Sequence, residues 1–275
     1  MKNLIITICM NYTYEIFERF ISSLFDSINN TDLMIFISIN DIKHINKLKQ
    51  IYPYIKYKIV DSGTIHIVNY RFKMYYEYLQ NNTNYQYIFM CDSRDVLFQK
   101  NIFKHPILEK NYDLYLFEEE SKHITIDTCQ FNTLYVKKSC LDIYSNIKNK
   151  PIICVGTILG NYKGIMEYLK HFNNILNNEI PEIKKGEYGV DSGINYKIIY
   201  NNLLENIKVY ICKNSDNLVY TMAFPIYLNL INYDKLLNSE KKILYDENIS
   251  YCVHQYDRLD DNIRKIMSIK YNFIL

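Results

Sequence analysis

The sequence has no tryptophan, no C-x-x-C pair and no long apolar run. A membrane-spanning helix needs about 20 consecutive apolar residues, and the apolar run at residues 4–10 is far shorter. It lacks a small-residue cleavage site and is followed at once by polar residues, so it predicts a first core strand and not a signal peptide. We therefore expect no membrane span, no Golgi-type anchor and a cytoplasmic location (the host cytoplasm if the chain is viral).

The cysteines are odd in number and scattered along the chain, which argues against a disulfide framework or a zinc site. Several of them lie inside apolar runs, where a thiol behaves as a small hydrophobic group. We expect buried, reduced thiols and a reducing compartment. The seven are Cys9, Cys91, Cys129, Cys140, Cys154, Cys212 and Cys252.

Neither the formal net charge of +2 nor the charged fraction of 23% predicts a nucleic-acid binder, whose charge is typically strong and clustered, so we expect no nucleic-acid partner. A near-neutral balance suits an enzyme with a small-molecule substrate. Lysine far outnumbers arginine, and tyrosine reaches 28 residues, a composition that indicates AT-rich coding. Each arginine is therefore more informative than usual; the five are Arg19, Arg71, Arg94, Arg258 and Arg264.

Short apolar segments alternate with amphipathic segments over the first 91 residues. Their periodicity predicts strands at 4–10, 32–38, 57–60 and 85–91, and helices at 14–26, 41–52 and 70–80. Beyond residue 110 the alternation weakens, and we expect strands at 114–117, 134–136 and 208–212, with helices at 164–177 and 192–202. This pattern predicts an α/β fold, a mostly parallel sheet with helices on both faces. A length of 275 residues fits a single domain.

Two carboxylates, Asp92 and Asp95, directly follow the predicted strand at 85–91. In open α/β sheets, ligands bind beyond the carboxyl ends of the strands. Carboxylate oxygens suit a divalent cation, and such a cation would neutralise the diphosphate of a sugar nucleotide. A solvated turn with an aspartate cap is the alternative interpretation.

Three later segments also carry candidate site residues. Gly156 and Thr157 lie in a small-residue segment whose backbone could approach a bound donor, or which could be a strand-to-helix turn. Asp191 stands at the start of a predicted helix, where capping alone would explain it. His254 lies among polar side chains that are costly to bury without a purpose, although a packed core histidine is the alternative.

The order of these motifs resembles a family of GT-A-type glycosyltransferases found in bacteria, algae and giant DNA viruses. The specific segments are D-x-R-D-V-x-F-Q at 92–99 and V-H-Q-Y-D-R at 253–258. The resemblance implies a GT-A fold with a Rossmann-like donor half, about 1–100, and an acceptor-binding half, about 101–275. It also implies Mn²⁺- or Mg²⁺-dependent transfer from a nucleoside-diphosphate sugar, most often a UDP-sugar, to a glycan or protein acceptor. The AT-rich composition adds the expectation of a giant-virus source.

The resemblance also implies roles for individual residues. Asp92, Asp95 and His254 match metal-site positions, with Asp95 the direct ligand and Asp92 also a ribose or water-mediated partner. This sequence has two residues between its acids, where the common D-x-D motif has one. Arg71 resembles a basic residue that contacts the donor, and Asp191 matches an acid near the acceptor and the reacting carbon. Should Asp191 only cap its helix, Glu118, Glu119, Glu120 and Asp257 are the alternative catalytic acids.

Two other classes compete with this interpretation. A nucleotidyltransferase that makes sugar nucleotides would share the fold, but it typically carries a glycine-rich N-terminal loop. Residues 4–15 contain no glycine, which disfavours that class. A non-catalytic nucleotide- or carbohydrate-binding module would be expected to have lost one of the acids or the late histidine, and this chain retains all three.

Overall fold

The computed structural model describes residues 1–265; residues 266–275, the last ten of the predicted domain, lie outside the described residues. The strands are β1 (Lys2–Ile8), β2 (Thr31–Ile37), β3 (Ile55–Ile59), β4 (Tyr85–Cys91), β5 (Val96–Phe98), β6 (Leu114–Glu118), β7 (Ile153–Asn161), β8 (Val209–Cys212), β9 (Val219–Thr221), β10 (Leu244–Tyr245), β11 (Asn248–Ile249) and β12 (Cys252–His254). The α-helices are α1 (Tyr14–Ser27), α2 (Ile42–Lys49), α3 (Ile67–Gln80), α4 (Gln130–Ser139), α5 (Tyr144–Ile147), α6 (Tyr162–Asn178), α7 (Glu182–Lys185), α8 (Val190–Tyr200) and α9 (Ala223–Tyr227).

The main sheet has the strand order β3-β2-β1-β4-β7-β6-β8. Strands β1, β2 and β3 run parallel to one another, whereas β6 and β7 are antiparallel. The last five residues of β1 and of β2 are all buried, as expected for strands covered on both faces. The sheet is thus mixed and mostly parallel, with helices flanking it, which confirms the predicted fold class.

A smaller sheet, in the order β5-β12-β9, positions the two specific motifs. β12 runs antiparallel to β5 and parallel to β9. In this register His254 lies opposite Val96 on one side and Thr221 on the other. The start of the 253–258 motif therefore lies beside the end of the acidic turn that precedes β5.

The described chain divides into two compact units. The first contains residues 61–89 and 112–211, and its core includes a stacked pair, Phe72 and Phe172, with ring centroids 3.9 Å apart. The second contains residues 2–60, 90–111 and the chain from 212 onward. In its core Phe20 meets Phe98 edge-on at 5.6 Å.

Two local predictions were wrong. Residues 134–136 were expected to form a strand from their Leu-Tyr-Val sequence, but they lie inside α4, which packs against α8. Helix packing here outweighs the strand preference of one aromatic and one β-branched residue. The segment 154–160 is not a strand-to-helix turn either, because it lies within β7, which runs directly into α6.

All seven cysteines are buried and none forms a disulfide, as predicted. Burial raises the pKa of the Cys9 thiol, which keeps it protonated. No helix among residues 1–265 combines the length and the apolar character needed to cross a bilayer.

Candidate functional site

The acidic turn between β4 and β5 is held at several points by the rest of its unit. Ser93 donates its hydroxyl hydrogen to the carbonyl oxygen of Ile8 at 2.7 Å. The carbonyl of Asp95 accepts the backbone N–H of Gln255 at 2.7 Å. The turn is therefore joined both to the end of β1 and to the residue after β12.

The carbonyl oxygen of Arg94 is a third point of attachment. It accepts a hydrogen bond from the Tyr256 hydroxyl at 3.0 Å and one from Arg19 Nη2 at 3.3 Å. The Arg19 guanidinium also lies 5.3 Å from the centroid of the Tyr256 ring. Neither Arg19 nor Tyr256 was assigned a role from the sequence, although Tyr256 lies in the V-H-Q-Y-D-R segment at 253–258.

Asp92, Asp95 and His254, the three residues predicted to hold a metal, come together at this turn. We call them the Asp-Asp-His cluster. His254 Nε2 lies 3.4 Å from Asp92 Oδ2 and 3.6 Å from Asp95 Oδ1, and one ligand atom from each residue lies within 4.8 Å of the others. The His254 and Asp95 side chains are buried, whereas that of Asp92 is 32% exposed, so the cluster is reached from the Asp92 side.

Electrostatics favour a cation in this cluster. Burial raises the pKa of Asp95, and the charge of a protonated His254 opposes that rise, while nearby Asp92 and Asp257 add to it. A divalent cation would stabilise the carboxylate form that burial disfavours. Two carboxylates and an imidazole form a donor set that Mn²⁺ accepts readily, and Mg²⁺ would use mainly the carboxylate oxygens. The residues present therefore fit a divalent metal.

Two arginines border the cluster. Arg94 Nη2 lies 3.0 Å from Asp257 Oδ2 and 3.8 Å from Asp95 Oδ2. Arg258 Nη1 also lies 3.8 Å from Asp95 Oδ2. Both guanidinium side chains are more than two-fifths exposed, so positive charge faces solvent beside the carboxylates.

Asp191 lies in the first unit, in the first turn of α8. The N-cap of this helix is Gly189, with φ +87°, so the interpretation of Asp191 as the capping residue was wrong. Asp191 is the second residue of the helix, and its Oδ1 accepts the N–H of Ser192 at 3.0 Å. Gly189 is required twice over: its φ is left-handed, and a Cβ there would stand 2.1 Å from the Tyr135 ring.

Arg71 and Asp191 form a buried ion pair. Arg71 Nη2 lies 3.1 Å from Asp191 Oδ2, and the two side chains are 5% and 6% exposed. The same Nη2 donates to the carbonyl of Val155 at 3.4 Å. Sequence reasoning selected both residues but missed their pairing, because they are 120 positions apart and no local pattern connects them.

Gly156 and Thr157, assigned to donor binding from the sequence, lie in an irregularity of β7. The register with β6 moves from Leu116 opposite Ile158 to Phe117 opposite Cys154, so residues 155–157 have no paired residues on β6. Thr157 is fully buried, and its hydroxyl has no hydrogen-bond partner among the described residues. Such bulges are common beside active sites, and donor contact by these two residues stays a prediction.

The alternative catalytic acids have partners of their own. Glu118 is buried and accepts the Ser121 hydroxyl at 2.7 Å. Glu120 lies 3.2 Å from the ring nitrogen of His123. Asp257 is paired with Arg94 beside the Asp-Asp-His cluster.

No protein-family model matches this chain, and no curated protein shows significant similarity to it. Solved structures do match. An active-site mutant of LgtC has a TM-score of 0.53 at 10% identity, covering 97% of this chain and 94% of that one. The galactosyltransferase LgtC in complex with donor and acceptor sugar analogues has a TM-score of 0.52 at 10% identity, covering 91% of this chain and 86% of that one.

The apo-form glycosyltransferase GlyE of Streptococcus pneumoniae has a TM-score of 0.50 at 11% identity, covering 94% of this chain and 55% of that one. A 4-diphosphocytidyl-2C-methyl-D-erythritol synthase from Anaerococcus prevotii has a TM-score of 0.48 at 10% identity, covering 77% of this chain and 86% of that one. A TM-score below 0.5 supports no conclusion about this chain. The LgtC and GlyE likenesses establish that this chain has their fold, the GT-A fold predicted from the sequence.

Proposed function

We propose that this protein is a glycosyltransferase that moves a sugar from a nucleoside-diphosphate sugar, with a UDP-sugar as the favoured donor, to a hydroxyl of a glycan or protein acceptor. One observation carries the proposal: in a chain with this fold, Asp92, Asp95 and His254 converge at the carboxyl end of β4. That is the edge of an α/β sheet at which ligands bind. The giant-virus source and the cytoplasmic location stay predictions.

The Asp-Asp-His cluster would hold Mn²⁺ or Mg²⁺. Asp95 and His254 are the proposed ligands, and the more exposed Asp92 is the proposed contact to the metal or to the donor ribose. When bound, the cation supplies positive charge to the diphosphate that leaves with the nucleoside. Arg94 and Arg258, which border the cluster, would add positive charge of their own to this surface.

Asp191 is the proposed catalytic residue. Its carboxylate would either accept the proton of the acceptor hydroxyl, for which it must approach within about 2.6–3.2 Å, or orient the donor sugar. Arg71, Gly156 and Thr157 are the proposed donor contacts of the first unit. The ion pair with Arg71 holds the Asp191 side chain in one place.

Asp191→Asn should lower the turnover of the transfer reaction by about 100-fold or more. The amide keeps the size of the side chain but cannot accept a proton. Turnover would be measured at a temperature where circular dichroism shows the variant folded, because Arg71 loses its ionic partner. The matched control is Asp142→Asn, which removes a largely exposed partner of Lys197 in the same unit. Near-normal turnover of Asp191→Asn would show that the Asp191 carboxylate has no catalytic role in the transfer.

Binding of the nucleotide can be tested without knowing the sugar or the acceptor. We expect at least one of UDP, GDP and CDP to raise the melting temperature with Mn²⁺ present, and not with EDTA. A ligand at 100 times its dissociation constant adds about 2.7 kcal/mol of stability. Melting temperatures that no nucleoside diphosphate changes, with or without Mn²⁺, would contradict the proposal.

A further inference from the structure

Asn69 lies in the first turn of α3, fully buried, and uses its whole side-chain amide. Its Nδ2 donates to the carbonyl oxygens of Lys185 and Glu187, both at 2.9 Å. Its Oδ1 accepts the backbone N–H of Asp191 at 3.0 Å. One side chain thus holds both ends of residues 185–191, the segment that leads into α8.

Residues 185–191 connect α7 to α8. The segment passes from the end of α7 through Gly189, in the left-handed region, to the first turn of α8. The first N–H groups of a helix have no partner within that helix, and here the N–H of Asp191 is bound by Asn69. The backbone of His66 adds one more bond, from its N–H to the Lys185 carbonyl at 3.0 Å.

Two neighbouring residues of α3 therefore act on Asp191 in different ways. Asn69 binds its backbone N–H, and Arg71 binds its carboxylate. A displacement of about 1 Å at a reacting group can cost about 100-fold in rate. The place of Asp191 consequently depends on a residue that belongs to none of the sequence motifs.

We infer that Asn69 is a positioning residue for the proposed transfer reaction: it fixes residues 185–191 and thereby the carboxylate of Asp191. The inference rests on the proposed function. Beyond that function, the inference claims that loss of Asn69 lowers turnover through Asp191 and not through a general loss of stability.

The chain offers a matched control in Asn173. It is also a buried asparagine of the first unit, and its Nδ2 donates to two backbone carbonyls, those of Phe72 at 3.3 Å and Leu169 at 2.7 Å. Both acceptors lie outside residues 185–191. Asn173→Ala therefore removes a comparable amide from the same core without touching that segment.

The test compares UDP release from UDP-glucose, UDP-galactose and UDP-N-acetylglucosamine by the wild type, Asn69→Ala, Asn173→Ala, Asp191→Asn and the double variant Asn69→Ala/Asp191→Asn. Asn69→Ala should lower kcat by about 10- to 100-fold, while Asn173→Ala stays near the wild type at equal folded fraction. The double variant should be no slower than Asp191→Asn alone, because residues that act as a unit are not additive. Equal kcat for the two alanine variants, or additive losses in the double variant, would overturn the inference.

Hydrogen exchange separates this inference from the proposed function. Asn69→Ala should speed amide exchange at residues 186–192 more than Asn173→Ala does, whatever the substrate. Faster exchange there, together with a wild type that releases no UDP from any of the three donors, would contradict a UDP-sugar donor but would leave in place the positioning of residues 185–191 by Asn69. Unchanged amide exchange at residues 186–192 in Asn69→Ala would show that Asn69 does not fix this segment.

Discussion

Arg71→Met should lower the free energy of unfolding by about 3–5 kcal/mol. The substitution keeps an unbranched chain in the core but leaves the Asp191 carboxylate, only 6% exposed, without its guanidinium partner. An unpaired buried charge is among the largest penalties that a single substitution can produce. Urea denaturation followed by circular dichroism would measure the change.

Two further variants decide whether the charge is the cause. Arg71→Met/Asp191→Asn removes both charges and should regain much of the loss, since a buried pair replaced by neutral groups is often close to neutral. Lys197→Met, which breaks two more exposed ion pairs, with Asp142 and with Glu179, should cost less, because such pairs are typically worth about 1 kcal/mol or less each. If Arg71→Met costs no more than Lys197→Met, the buried ion pair does not contribute as described.

Asp95→Asn should weaken Mn²⁺ binding, measured calorimetrically with UDP present, by at least about 100-fold. Second-sphere substitutions at metal sites already cost about 10- to 100-fold, and Asp95 is proposed as a direct ligand. Its carboxylate is buried and lies 3.6 Å from His254 Nε2. The backbone carbonyl of Asp95 accepts the N–H of Gln255. Another group would therefore have difficulty taking its place.

The control for this variant is Asp257→Asn. Asp257 is a neighbouring acid of the same unit, 27% exposed and paired with Arg94, but it is not one of the three residues whose ligand atoms converge. We expect it to lower Mn²⁺ affinity by far less than Asp95→Asn does. Equal Mn²⁺ affinity of Asp95→Asn and the wild type would show that Asp95 is not a metal ligand.

Periodicity alone was sufficient to predict most of the central sheet. The strand at 85–91 was predicted with its observed bounds, because a buried strand is a short apolar run that ends abruptly at a polar residue. The helix at 70–80 was predicted to start three residues too late, because its N-cap, His66, is not one of the usual capping residues. The helix at 130–139 was missed, because its exposed face carries Phe131 and Leu134, 67% and 47% exposed, which blurs the amphipathic pattern.

The long-range pairings could not be predicted in this way. His254 was placed beside Asp92 and Asp95 by resemblance to a family, since no pattern within the chain joins positions about 160 residues apart. Gln99, the last residue of the acidic motif, had no predicted role. The structure shows its amide bonded to the backbone of Ile243 and Ser250, so it holds the segment before β12. Such residues act through tertiary hydrogen bonds that leave no local signature.

The most direct test of the proposed function is a product analysis that compares glycosyl transfer with nucleotidyl transfer in the same experiment. Wild type and Asp95→Asn would be incubated with Mn²⁺ and either a set of nucleoside-diphosphate sugars or a nucleoside triphosphate with a sugar 1-phosphate. We expect the wild type to release nucleoside diphosphate from at least one sugar nucleotide, and this release to be lost with EDTA or in Asp95→Asn. Pyrophosphate release from the triphosphate mixture, with no nucleoside diphosphate from any sugar nucleotide, would contradict the proposed function and identify a nucleotidyltransferase.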